Sequence, residues 1–112
     1  MKKLILTTLV LALALPLSAA TWKDVALMDA GCAVHKEKTD APDAHTKTCA
    51  IRCGAKTGYG AMVDGKFIKF DKKGDELTDA ALKKTDKTDH LRANVTGELK
   101  DGKIEVSALE LK

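Results

Sequence analysis

Apolar and polar positions alternate most cleanly near the end of the chain. Leu91, Ala93, Val95 and Leu99 fall on one face, against Arg92, Asn94, Thr96, Glu98 and Lys100 on the other. That is the two-residue period of a half-buried strand. Gly97 takes an inward position, where a small barrel could bend its strand. Asp101-Gly102 then predicts a tight turn into Ile104 to Leu111, whose inward set shifts from Ile104 and Val106 to Leu109 and Leu111. Such a slip predicts a bulge near Ala108. Further up the chain, Asp64-Gly65 joins two apolar runs, Tyr59 to Val63 and Lys66 to Phe70. Both turn residues tolerate positive φ, so a type I′ hairpin is expected there.

Trp22 to Met28 predicts a first strand, with Val25 and Leu27 on one face and Trp22, Ala26 and Met28 on the other. Two helices complete the reading. One spans roughly Ala44 to Lys56, with Asp43 as N-cap and Gly54 as its stop. The other runs from a cap at Asp75 to about Lys84, after a loop over Asp71 to Gly74. The order is strand, Cys/His segment with a short helix, strand, strand, helix, strand, strand. It predicts a mainly β fold with short helices, a five-stranded OB-like barrel. A small α+β sandwich would carry the same order.

The first twenty residues follow another pattern. Lys2 and Lys3 precede an apolar run from Leu4 to Leu15, and Pro16 leads to the small residues Ser18-Ala19-Ala20. This is the layout of a cleaved secretory signal peptide, 1–20. The run is too short for a membrane span, which needs roughly 20 apolar residues. The expected mature chain is a single OB-like domain, 21–112, periplasmic or secreted, with no integral membrane segment after cleavage. Its 92 residues carry 17 basic side chains, once Lys2 and Lys3 are removed from the 19, against 16 acidic ones, a net charge of +1. So balanced a surface offers phosphate backbones little attraction, and no nucleic-acid partner is expected.

All three cysteines and two of the three histidines lie in one insert, 29–58. A helix over 44–56 would place His45, Cys49 and Cys53 on one stripe, because positions four apart share a face. Cys32 and His35 could join them if the chain folds back. Thiolate sulfur with imidazole nitrogen suits zinc or copper(I), so Cys32, His35, His45, Cys49 and Cys53 are the candidate metal ligands. The plainer expectation is a disulfide from Cys32 to Cys49 or Cys53, since exported cysteines usually pair. Closing such a loop is worth about 3 kcal/mol by chain entropy. The disulfide would leave one thiol to explain. A Cys-x-x-Cys is lacking, which argues against thioredoxin-like chemistry. His90 reads as a solvated edge residue, Ser107 sits outside any nucleophile motif, and the aromatics are expected mostly in the core.

The whole mature chain resembles small, largely uncharacterised exported bacterial proteins with an OB-like barrel. The resemblance rests on Asp29, Cys32 and His35 (Asp-x-x-Cys-x-x-His) and on Cys49 and Cys53 (Cys-x-x-x-Cys). It extends through Gly58-Tyr59, Asp64 to Phe67, Val95 to Leu99 and Ile104 to Val106. It implies the barrel and attaches no activity. The expectation is therefore a non-enzymatic exported binding or structural module, its Cys/His cluster forming a disulfide, binding a soft metal, or both. The alternatives are a purely structural or partner-binding envelope protein with one disulfide and, further off, a thiol enzyme.

Overall fold

A computed structural model describes residues 19–112. The signal-peptide expectation falls mostly on residues 1–18, outside the described residues. Five strands form the framework: β1 (Ala20–Asp29), β2 (Tyr59–Val63), β3 (Lys66–Phe70), β4 (Arg92–Lys100) and β5 (Lys103–Leu111). They close a barrel in the order β1-β2-β3-β5-β4, with β4 returning to β1. Every pairing is antiparallel except β3 with β5, which meet through Lys69↔Lys103 and Phe70↔Ile104. This is the OB-like ring expected from the element order.

Both tight turns form for the expected reason. Asp64 and Gly65 have φ of 49° and 78°, and Asp101 and Gly102 have 52° and 76°. In the β4–β5 hairpin, Thr96 faces Ala108 while Gly97 faces Val106, so Ser107 is the extra residue of a bulge beside Ala108. Gly97 is required there: a Cβ would sit 2.1 Å from the Glu105 carbonyl oxygen.

β1 departs from the expected facing. Its register against β4 slips between Trp22 and Val25, where Asp24 adopts a φ of 52°. One extra residue reverses the alternation, so Trp22 packs on the core with Val25 and Leu27 instead of opposing them. The core itself joins Leu27, Tyr59, Phe70, Leu82, Leu91, Val95 and Ile104, all at most 1% exposed.

The helices also begin earlier or later than expected. Lys72–Lys84 forms the helix between β3 and β4, capped by Asp71, whose side chain accepts from the Gly74 N–H. Gly74 is the first-turn residue that touches the barrel; a Cβ there would lie 2.6 Å from both Phe70 and Val106. Asp75, freed from capping, accepts from the Tyr59 N–H at 2.7 Å and faces Lys69. Among the described residues, no helix is long and apolar enough to cross a membrane.

Between β1 and β2 the insert contains α1 (Ala30–Ala33), α2 (Lys36–Asp40), a 3-10 turn (Pro42–Ala44) and α3 (Lys47–Thr57); the helix Lys72–Lys84 is α4. The insert packs on β1, which is buried at every position from Val25 to Asp29. The Arg92 guanidinium clamps the 3-10 turn to β4, donating from Nε and Nη2 to the two Asp43 carboxylate oxygens at 2.8 and 2.9 Å.

Candidate metal centre

The site begins where β1 stops. Asp29 is the last residue of the strand and the N-cap of α1, its Oδ2 accepting from the Cys32 N–H at 2.8 Å. An aspartate three residues before a cysteine satisfies one of the free amides of the first turn and fixes the cysteine above itself. The other oxygen, Oδ1, lies 2.6 Å from His45 Nε2. Neither side chain meets solvent appreciably: Asp29 is 0% exposed and His45 4%.

His45 reaches Asp29 because it is not helical. α3 starts at Lys47, capped by Thr46, whose hydroxyl accepts from the Cys49 N–H. The expected N-cap, Asp43, is instead held by Arg92 in the 3-10 turn. His45 is therefore the extended residue between turn and helix, with φ −70° and ψ 125°, and its ring points inward. The expected stripe of His45, Cys49 and Cys53 does not exist. Gly54 does not stop the helix either; it is buried within α3, and the left-handed Gly58 ends it.

One ligand atom from each of Asp29, Cys32 and His45 lies within 4.8 Å of the others, and this buried group could hold a metal ion. Donors around tetrahedral zinc stand about 3.3–3.8 Å apart, given bond lengths of about 2.0–2.3 Å. Side-chain shifts on the order of 1 Å separate the observed arrangement from that spacing. A cation held by Asp29, Cys32 and His45 would take the place of the hydrogen bond between Asp29 and His45.

Cys32 is protonated as it stands. Burial, the hydrogen bond and charge of Asp29, and the neighbouring Cys53 together push its thiol up to about 12. Such a thiol is a poor nucleophile at neutral pH, and a good ligand only when a cation displaces its proton.

The structure distributes the five sequence candidates unevenly. Cys32 and His45 meet at Asp29. Cys53 is half-buried beside Cys32, and the two helices are stitched there: Thr57 Oγ1 accepts from the Gly31 N–H and donates to the Cys53 carbonyl. Cys49 is exposed on α3, and His35, the exposed N-cap of α2, makes no side-chain capping bond. Both lie outside the group. All three cysteines are thiols here. His90 is exposed and pairs with Asp89. Asp29 is the residue missing from the candidate ligands; its signal was the Asp-x-x-Cys cap spacing at the end of a strand.

No protein family, curated protein or solved structure matches the chain.

Proposed function

We propose that the protein is an exported, non-enzymatic module that binds zinc, or alternatively copper(I), at Asp29, Cys32 and His45. The observation that carries this reading is the buried carboxylate–imidazole pair with a thiol beside it. Burying a carboxylate is costly unless it is paired, and a divalent ion would compensate its charge directly. Zn(II) with one carboxylate and one thiolate gives a locally neutral centre, which suits an interior site. The carboxylate favours zinc, because copper(I) prefers sulfur and imidazole. Cys53, next to Cys32, is the nearest further sulfur for a fourth position. The resemblance to small exported bacterial proteins and the signal-like first twenty residues support a periplasmic or secreted location, where the module would serve a ligand or protein partner through its barrel.

The test is native mass spectrometry of the reduced protein after exposure to zinc and removal of loose metal. One retained zinc, lost in Cys32→Ser and in His45→Ala but kept in His35→Ala, is the expected result. An unchanged apo mass would overturn the metal reading and leave a structural or partner-binding module.

A further inference from the structure

Cys32 stands at the junction of two arrangements that cannot coexist. On one side its sulfur belongs to the group with Asp29 and His45. On the other it faces Cys53, across the contact in which α1 is fastened to α3 through Gly31, Thr57 and the Cys53 carbonyl. Cys49 is exposed one helical turn before Cys53 and outside this contact. Side chains a turn apart on one helix do not aim at each other, so Cys49 is poorly placed to bridge Cys53.

We infer that a Cys32–Cys53 disulfide gates the metal centre: the reduced protein binds the ion, and the oxidised protein has lost its thiolate ligand. This rests on the metal reading above. The oxidant is a small-molecule disulfide, RSSR. Cys53, as thiolate, attacks one sulfur, forming Cys53–S–SR and releasing RS⁻. Cys32 then attacks the Cys53 sulfur, giving up its proton, and a second RS⁻ leaves. The two thiolates released take up the two cysteine protons, so two cysteine thiols and RSSR become one protein disulfide and two RSH. Two cysteine sulfurs are oxidised and the two RS sulfurs are reduced. Bound zinc blocks the route because it occupies the Cys32 sulfur. Cys49 remains the odd thiol in both states.

The experiment oxidises the apo protein with glutathione disulfide, maps the linkage by non-reducing peptide mass spectrometry, and titrates zinc into the reduced and oxidised forms. A Cys32–Cys53 linkage, one alkylatable thiol at Cys49, and zinc affinity at least tenfold weaker after oxidation are expected. Zinc added first should slow the linkage at least tenfold. Cys49→Ala should keep the whole response, and Cys53→Ser should give no oxidation-dependent change in affinity. A linkage through Cys49, or equal zinc affinity in both forms, would overturn the gate while leaving the metal site standing. Absence of zinc binding by the reduced protein would sink the metal reading itself, and the gate with it.

Discussion

Replacing His45 by alanine tests whether Asp29 and His45 act as one unit. The substitution leaves the Asp29 carboxylate at 0% exposure with the Cys32 N–H and thiol as its remaining donors. Removing the partner of a buried carboxylate costs roughly 3–5 kcal/mol, since the surviving charge stays desolvated. Domains of this size have total stabilities of about 5–15 kcal/mol, so the variant should fold but only marginally. With a urea slope of about 1.5 kcal/mol per molar, the midpoint should fall by about 2–3 M. Asp29→Asn/His45→Ala removes the stranded charge and should recover part of the loss, giving a coupling energy on the order of 1–3 kcal/mol. The assay is urea unfolding of the reduced, metal-free proteins. Adding zinc at a hundred times its dissociation constant should stabilise the parent by about 2.7 kcal/mol and the His45→Ala variant not at all. A loss below 1 kcal/mol for His45→Ala, with additive single and double variants, would refute the pairing argument.

Gly54→Ala would drive a methyl to within 2.2 Å of two Tyr59 ring atoms, and that ring is fixed by its hydroxyl bond to Asp79. A loss of about 1–3 kcal/mol in thermal or urea unfolding is expected; an unchanged midpoint would contradict the packing of α3 on β2. Alkylation should label Cys49 first and Cys32 last, the latter trailing a free thiol by on the order of a thousandfold at pH 8 and speeding up only as pH approaches about 12. Equal rates in the folded protein would show Cys32 to be open and unpaired. The Arg92 guanidinium beside Asp43 holds its carboxyl below the usual carboxylate range. Its folded value being the lower one, the stabilisation is complete above about 3.9, the unfolded value, and is lost as pH falls through the folded value. Both side chains are about one-third exposed, so the effect is modest. Hydrogen exchange over residues 42–45 should accelerate first in acid, and Arg92→Ala should abolish that difference.

The barrel was legible because its cues are local. Alternation along β4, the Asp-Gly turns and the register slip near Ala108 each involve neighbouring residues, and each decides a strand or its facing. The site was less legible because its determinants are distant. Asp43 looks like a helix cap until Arg92, 49 positions away, takes its carboxylate; only then is His45 released from the helix and turned toward Asp29. Trp22 changes face through a bulge at Asp24, a non-glycine residue in a left-handed conformation that no turn motif announces. Gly74 reads as the end of a loop and Gly54 as a helix stop, yet both lie inside helices where Phe70, Val106 and Tyr59 leave no room for a side chain. The density of Cys and His marked the segment in which Asp29, Cys32 and His45 come together. Which of them converge depended on a carboxylate whose capping role hid it.

X-ray absorption at the zinc edge of the reduced, loaded protein interrogates the centre most directly. The account predicts a mixed shell, with one or two sulfur scatterers at about 2.3 Å and nitrogen or oxygen scatterers at about 2.0–2.1 Å, and no retained zinc in Cys32→Ser. A sulfur-free shell, or one that Cys32→Ser leaves unchanged, would contradict it.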